Sequence, residues 1–427
     1  MRCLLDKGFG QKLVTRVHQG VRGASVCVLV LGTSISQAGI ERDQAKRIHD
    51  RLAGVPPTEA VLNAMEADIV ANVGGQGRIN AAYRAMENPA FYAATLKNLA
   101  APWTNRDQDV FVPLNDYIAT YIGLVRDESD FRQILSEDVI YVGSSGPAYS
   151  VSDNDNYAHI EDNNLNMGAV DASGNGIHLV RQTQSSLNGL PSDATAGVIT
   201  SRAAARAFFV DGTNRAMFRF TMLNHMCYDM EQVKDTARPA DRIRQDISRS
   251  PGGDSRLFIN GCVGCHSGMD PMAQAFAYYQ WQYTPNNANP DAAKDAGQMV
   301  YTAGVVQPKY FINSTTFPFG YVTPDDRWDN FWREGVNKKL LGWDTNSLGV
   351  GVLPGGGNGA KTLGQELANS EAFARCHVSH AFRTTCLREP ADAADLTAID
   401  TVVGNFKSSN YNLKQVFAET ASYCATN

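Results

Sequence analysis

Apolar residues between Ile40 and about Ser136 recur at steps of three and four positions. They are Ile48, Leu52, Val61, Met65, Ile69, Leu96, Leu99, Ile118, Ile122 and Ile134. Such spacing places them on one face of a helix. Pro56-Pro57-Thr58 interrupts the pattern and supplies a turn, with Thr58 as an N-cap before Glu59. The pattern therefore predicts a helical N-terminal domain over residues 39–142.

The helical pattern is lost between residues 143 and 200, which are rich in Gly, Ser, Asn and Asp. Two polar clusters occur there, at residues 153–156 and 161–164. Their acidic residues suggest calcium, but the turn glycine and closing Glu of an EF-hand loop are not in register. We therefore predict a long, irregular, solvated connection.

Helical patterning returns at residues 213–233, where Met222, His225 and Met226 share one face. A second irregular region follows, from Tyr283 to Gly359. Residues 361–387, 393–406 and 412–423 then predict three closing helices. The expected fold is mainly α with long irregular loops, comprising the N-terminal domain, the connection, a central domain at 201–358 and a C-terminal helical domain at 359–427.

The first 38 residues have the order of a secretory signal peptide. Five basic residues and one acid occur up to Arg22, and the mostly apolar stretch Ala24–Ile35 closes on Ser36-Gln37-Ala38. A dozen weakly apolar residues are too few to span a bilayer, which needs ~20. We predict export with removal of residues 1–38, and a periplasmic or extracellular location.

The chain that remains after this cleavage is acidic. It keeps 33 of the 38 Lys and Arg residues and 43 of the 44 Asp and Glu residues, a formal charge of −10. Such a charge does not favour nucleic-acid binding. No later stretch has the length or apolarity of a membrane span, so we expect a soluble mature protein.

The motif with the most specific chemistry is Cys262-Val263-Gly264-Cys265-His266. On a helical turn, two thiols three residues apart can form thioether bonds to haem vinyl groups, while the following histidine ligates the iron. A redox dithiol, a disulfide or half a zinc site would not require the histidine. Zinc would need a second such pair, and a thioredoxin-like site a surrounding βαβ pattern. We predict one covalent haem c, and residues 201–358 as the domain that binds it.

The sequence offers several candidates for the sixth iron ligand. Met269 lies too close to His266 to reach the opposite haem face, whereas Met299, 33 residues downstream, has a separation typical of a methionine ligand. His225 and its neighbour Met226 are rivals, His377 and His380 are more remote ones, and an open iron position is a further alternative. A methionine ligand would favour electron transfer, and an open position would admit a small ligand.

Four further cysteines, Cys227, Cys376, Cys386 and Cys424, would remain in an oxidising compartment. If residues 371–387 form one helix, Cys376 and Cys386 lie about 15 Å apart at ~1.5 Å per residue, too far for a bridge. We therefore predict two disulfides, in which Cys424 takes one of these two residues and Cys227 the other. Free thiols are the alternative.

The segment around the motif resembles a known family. Residues 251–255, the core Cys262–Pro271 and the run Ala273–Tyr279 are similar to the haem-binding core of large cytochrome-like proteins of planctomycetes and some proteobacteria. Their core reads CxxCH-x-x-[hydrophobic]-D-P and lies between helical domains, and residues 51–58 and 363–424 loosely resemble the flanking segments. The resemblance implies haem c at Cys262, Cys265 and His266, and no established substrate.

Asp270-Pro271 also has a local interpretation. Proline disfavours helix in the residue before it. We therefore expect the helix of the motif to end near Asp270, with this carboxylate capping the next helix at Ala273.

These features together predict an exported monohaem cytochrome that exchanges single electrons with a partner protein. One alternative is a haem enzyme with an open distal site, such as a peroxidase or a dehydrogenase subunit. Another is a structural or surface-assembly protein that carries haem. The length of the chain keeps this last alternative open, because a simple carrier needs a domain of only ~100 residues.

Overall fold

The N-terminal helices begin where the apolar pattern predicts them. The computed structural model describes residues 39–71, 75–284, 296–343 and 355–426, so the predicted signal peptide lies outside the described residues. Helices α1 (Ile40–Ala53), α2 (Glu59–Ala71) and α3 (Gln76–Ala85) pack against one another. The Val61 amide donates to the Thr58 hydroxyl over 3.3 Å, which confirms the predicted cap.

The second half of this region surrounds a buried helix, α5. A π-helical turn (Phe91–Leu96) and α4 (Lys97–Ala100) precede α5 (Asp116–Arg126), whose residues are all buried. Helix α6 (Gln133–Ser136) leads into strand β1 (Ile140–Gly143). This strand pairs antiparallel with β2 (Leu179–Gln182), and the pair packs on α5. A helix buried on all sides lies in the interior of a protein.

The region predicted as an irregular connection is more ordered than its composition suggested. It contains α7 (Asp155–Asp162), β2 (Leu179–Gln182), α8 (Gln184–Asn188) and a 3₁₀ turn (Gly197–Thr200) between its loops. The Asn156 side chain accepts from the Gly143 amide over 2.8 Å and donates to the Pro147 carbonyl over 2.7 Å. Polar side chains in this region therefore form hydrogen bonds with the backbone N–H and C=O groups of the loops, and do not only face solvent.

The central part contains the helices of the CxxCH motif. Helix α9 (Arg202–Phe208) is followed by α10 (Arg215–Thr221), which continues as a π-helical turn over Met222–Met226. Further on, α11 (Ser255–Leu257), a π-helical turn (Phe258–Cys262) and α12 (Val263–Ala273) follow directly on one another. Two antiparallel strand pairs complete this part, β3 (Tyr279–Gln282) with β4 (Gln298–Tyr301) and β5 (Arg327–Asp329) with β6 (Gly356–Asn358), together with α13 (Val336–Leu341).

Four helices close the chain where three were predicted. They are α14 (Gly359–Ala368), α15 (Glu371–Cys386), α16 (Ala393–Ser408) and α17 (Leu413–Cys424). The predicted helix 361–387 is divided because the Ser370 hydroxyl accepts from the Phe373 amide over 3.1 Å and so caps a new helix. Helix α15 packs on α16, α17 and the π-helical turn after α10.

One hydrophobic core joins these segments. Buried residues from Ala45 to Ala425 form one continuous cluster, and residues 39–427 form one compact unit. Two smaller clusters lie beside it, one around Ile243, Phe258 and Val263 and one around Ala277, Tyr278 and Tyr310. The mainly α fold class is confirmed, since the described strands form only two-stranded sheets.

The predicted end of the motif helix near Asp270 is wrong. Helix α12 continues to Ala273, with Pro271 in its interior, and a 3₁₀ turn follows over Gln274–Phe276. Asp270 does not cap the next turn, because its carboxylate bonds to Arg215 and His266. A buried network thus outweighs the local preference of the residue before proline.

No helix among the described residues is both long enough and apolar enough to cross a bilayer.

Candidate functional site

The two thiols of the motif stand apart from the other described cysteines. Cys262 and Cys265 are free and half-buried, whereas Cys227 bonds to Cys376 and Cys386 to Cys424. Cys262 ends the π-helical turn, and Cys265 follows within the first turn of α12. Both sulfurs therefore remain available for covalent chemistry on one side of this helix.

His266 is held by a carboxylate one helical turn further on. Its side chain is 18% exposed, and its Nδ1 lies 3.1 Å from Asp270 Oδ1. If Nδ1 carries the proton and donates it to Asp270, Nε2 is left as a metal-binding nitrogen. A carboxylate on the other ring nitrogen orients a ligating histidine and raises its basicity.

Asp270 is the centre of a buried ion-pair network, and its side chain is fully buried. Arg215 Nε donates to its Oδ1 over 2.7 Å and Arg215 Nη2 to its Oδ2 over 2.9 Å. Arg215 also bonds to Asp246, and Arg244 Nη2 lies 3.7 Å from Asp270 Oδ1. Burial alone would raise the pKa of Asp270, but Arg215, Arg244 and His266 hold it well below its usual range. The carboxylate is therefore ionised beside His266.

A cavity of about 500 Å³ opens beside the motif. Its lining combines sulfur and apolar groups with three guanidinium groups and two acids: Cys265, Met269, Met230, Ala216, Phe220, Arg106, Arg215, Arg219, Asp229 and Glu231. A volume of this size is within the range of small-molecule and cofactor sites. Arginine side chains suit the carboxylates of an anionic ligand.

Met299 lies in a different place from the motif. It is on β4 opposite Trp281. It lines a separate cavity of about 250 Å³ with Tyr149 and Leu190. The structure therefore does not bring Met299 to the cavity beside Cys265.

His225 is buried, and both of its ring nitrogens have partners. Its Nε2 lies 2.6 Å from the Tyr117 hydroxyl, and its Nδ1 lies 3.2 Å from His377 Nε2. The other rivals share this surrounding, because Met226 accepts a contact from the Ser370 hydroxyl at 3.2 Å and His380 contacts the disulfide. His225, His377 and His380 therefore form a buried histidine cluster, and Met226 lies beside it.

Burial controls the protonation of this cluster. It lowers the pKa of His225 to about 3 and that of His380 to about 4. Burial, followed by His225 and His380, lowers the pKa of His377 well below its usual value. All three imidazoles are therefore neutral at neutral pH.

The disulfides follow the pairing that helix length predicted. Cys376 and Cys386 lie in the single helix α15 and take different partners, Cys227 and Cys424. Both pairs have Cα atoms 5.3 Å apart, a normal separation for a bridge. The sequence had left open which partner each cysteine takes, and the structure resolves it.

Four residues around the motif, Met230, Asp270, Arg215 and Arg244, were not predicted as parts of this site. Met230 lines the cavity, and its carbonyl accepts from Cys265 Sγ over 3.5 Å. Asp270 was predicted as a cap, although its spacing of four residues from His266 was a readable signal for contact on a helix. Arg215 and Arg244 come from distant segments, and no local pattern points to them.

Comparison with known proteins assigns no family to the chain. No protein-family model, no curated protein and no solved structure matches it.

The residues fit a covalently attached haem. The site has two free thiols three residues apart, an adjacent histidine with one nitrogen held by a carboxylate, and a cavity with apolar and arginine groups. This donor set matches thioether attachment and axial imidazole ligation.

Proposed function

We propose that the chain attaches one haem c through Cys262 and Cys265, with His266 as the proximal iron ligand. The observation that carries this proposal is the contrast among the described cysteines. Four are in disulfides, and the two that are free belong to the CxxCH motif beside the cavity. Haem would supply one-electron redox chemistry at this site.

The protein's own groups have distinct roles in this proposal. Asp270 holds His266 through Nδ1, and Arg215 and Arg244 hold Asp270 in turn. The His266 ring can therefore rotate little, because Asp270 holds its Nδ1 and is itself held by the two arginines. This fixes the direction of the His266 Nε2 atom. Arg106 reaches the cavity while donating to the carbonyls of Ala207 and Val210, and its charge suits a haem carboxylate.

We further infer that Met230, and not Met299, is the methionine candidate for the sixth ligand. Met230 lines the same cavity as Cys265, whereas Met299 lines another. A thioether ligand raises the reduction potential and favours electron transfer. The proposed role is single-electron exchange with a partner protein, in the periplasm or outside the cell, as the predicted signal peptide implies.

A second function is favoured by the His266–Asp270 pair. An ionised carboxylate on the proximal histidine makes the imidazole a stronger donor, which stabilises the oxidised iron and lowers the potential. A low potential with an open sixth position would suit a haem enzyme that uses peroxide. The ligation state of Met230 distinguishes the two functions.

Attachment is tested by expressing the full chain with a haem c maturation system. We expect a haem that stays with the polypeptide after denaturation, at one per chain. The C262A/C265A variant should lose it completely, while C386A/C424A, which removes two cysteines elsewhere, should keep it. A chain that holds no covalent haem, or a C262A/C265A variant that holds it normally, would refute the proposal.

The sixth ligand is tested by absorption spectra of the oxidised protein. A sulfur-to-iron charge-transfer band that is lost in M230A and kept in M299A would support electron transfer. A high-spin spectrum unchanged by either substitution, with a reaction on adding hydrogen peroxide, would support the haem enzyme instead. Loss of the band in M299A alone would overturn the assignment of Met230.

A further inference from the structure

A second cysteine–histidine group lies apart from the CxxCH motif. Cys227, Cys376 and His380, which we call the Cys–His cluster, bring one ligand atom each within 4.8 Å of one another. Cys376 and His380 are one turn apart on α15, so they share a face of this helix. Cys227 follows the π-helical turn of α10 with a positive φ of 58°, a conformation that a non-glycine residue seldom adopts. A widened turn and a left-handed residue thus deliver Cys227 to α15.

Two of the three distances within this cluster match a tetrahedral metal site. His380 Nε2 lies 3.5 Å from Cys227 Sγ and 3.4 Å from Cys376 Sγ. With Zn–S of about 2.3 Å and Zn–N of about 2.0 Å, two ligands at a tetrahedral angle lie roughly 3.5 Å apart. The nitrogen already has this separation from both sulfurs. Only the two sulfurs, joined by a covalent bond, are too close together.

A backbone carbonyl oxygen also lies close to two members of the cluster. Asn224 O lies 3.2 Å from His380 Nε2 and 3.7 Å from Cys376 Sγ. Asn224 belongs to the last turn of its helix, where carbonyls lack an intrahelical partner and the helix dipole is negative. The surroundings of the cluster therefore favour a cation.

We propose that the Cys–His cluster binds a thiophilic cation, of which zinc is the type, when the Cys227–Cys376 disulfide is reduced. A dithiol reductant supplies two electrons and two protons, breaks the sulfur–sulfur bond and becomes a disulfide itself. The metal then displaces both thiol protons to solvent, and His380 presents Nε2 after moving its proton to Nδ1. The oxidised form binds no metal, because bonded sulfurs carry no thiolate charge.

The other disulfide provides an internal comparison. Cys386 and Cys424 have the same Cα separation as the first pair. Among the described residues, however, the Cys–His cluster is the only group of three or more Cys, His, Asp or Glu side chains with metal-binding spacing, and it does not include Cys386 or Cys424. Reduction of Cys386–Cys424 should therefore yield two thiols without a metal site.

The test uses the full-length C262A/C265A protein, so that the CxxCH thiols cannot take metal whether or not haem attaches. The protein is reduced with dithiothreitol, desalted without oxygen and titrated with Co²⁺ alone, then with Zn²⁺. We expect one cobalt per chain with sulfur-to-cobalt charge-transfer bands, displaced by zinc, and no binding by the oxidised protein. C386A/C424A in the same background should behave identically.

Two variants make the result specific to the cluster. C227A/C376A should lose cobalt binding, with circular dichroism confirming that it is folded. H380Q keeps the disulfide, so its oxidised form should fold as the parent does. After reduction it should bind cobalt at least roughly tenfold more weakly. A tenfold loss is typical when a group that merely supports a metal ligand is removed, and His380 is proposed as a ligand itself. Absence of cobalt from the reduced parent, checked by circular dichroism to be folded in the same way, or unchanged binding in H380Q, would refute the proposal, and neither outcome depends on haem attachment.

Discussion

The protein contains two cysteine–histidine sites, and they differ in what surrounds the sulfurs. At the CxxCH motif, Cys262 and Cys265 are free and half-buried next to a cavity of about 500 Å³. In the Cys–His cluster, Cys376 is only 1% exposed and bonded to Cys227. Identical side-chain types thus offer an open, covalently competent site in one place and a closed, cross-linked one in the other.

The buried histidines beside the Cys–His cluster also differ from His266 in their partners. His266 has an ionised carboxylate, Asp270, on one nitrogen. His225 and His377 have each other and an uncharged tyrosine as partners. A charged partner makes an imidazole a better donor to a metal, whereas an apolar surrounding keeps it neutral. The residue type alone therefore does not tell these two kinds of histidine apart, and their hydrogen-bond partners do.

The largest stability effect should come from the closed site. Removing the Cys227–Cys376 bridge, which spans 149 residues, should lower the free energy of unfolding by about 5 kcal/mol through loss of the constraint on the unfolded chain. The Cys386–Cys424 bridge spans 38 residues, and its removal should cost about 4 kcal/mol. Denaturant unfolding of C227A/C376A and C386A/C424A measures both. A larger loss in the second variant would contradict this account.

The next largest effect should come from the open site. D270N leaves the buried guanidinium groups of Arg215 and Arg244 without their shared charge partner, so we expect a loss of about 3 kcal/mol or more. If haem is attached, its reduction potential should also rise, because His266 becomes a weaker donor. D254N is the control, since the exposed Asp254–Arg256 pair should contribute nothing measurable. Equal unfolding curves for D270N and the parent would contradict the role of the network.

As the pH falls, the buried histidine cluster should begin to lose stability before the Asp270 network does. His225 and His377 stay neutral in the folded protein and take up protons near pH 6.5 when it unfolds. Stability is therefore lost as pH falls below about 6.5, by about 1.4 kcal/mol per pH unit for each histidine. The pKa of Asp270 is lowered in the folded protein, so the stability that this carboxylate contributes begins to be lost only when the pH falls below its pKa in the unfolded chain, about 3.9.

This pH dependence is measured by denaturant unfolding between pH 6.5 and 5. H377F places a third aromatic ring against Phe131 and Phe373, which already flank His377. The slope of stability against pH should be smaller in H377F than in the parent by about 1.4 kcal/mol per pH unit. Parallel slopes would show that His377 is not held neutral.

The smallest effect is expected at Met299, which belongs to neither site. M299L conserves volume on β4 and should cost less than ~1.5 kcal/mol. The spectrum of the attached haem should not change, whereas M230L should remove any charge-transfer band. A spectral change in M299L would show that Met299 lies close to the haem, contrary to this account.

The features that could be predicted are those that depend on neighbours along the chain. Helical periodicity found the N-terminal and C-terminal helices, and the rise of α15 excluded a bridge between Cys376 and Cys386. The same local reasoning failed at Pro271, because Arg215 and Arg244 approach Asp270 from distant segments. It also gave no sign of the partners of His225, because Tyr117 and His377 are 108 and 152 residues away.

Both sites follow a π-helical turn, over Met222–Met226 before Cys227 and over Phe258–Cys262 at the motif. A π turn holds one residue more than an α turn, so it has the character of a single-residue insertion in a helix. Deleting one residue from either turn should leave an ordinary α turn in its place, without the widening that precedes the cysteine. The extra residue, and not only the cysteine, is therefore part of how each site is built, because it sets the backbone path into the site.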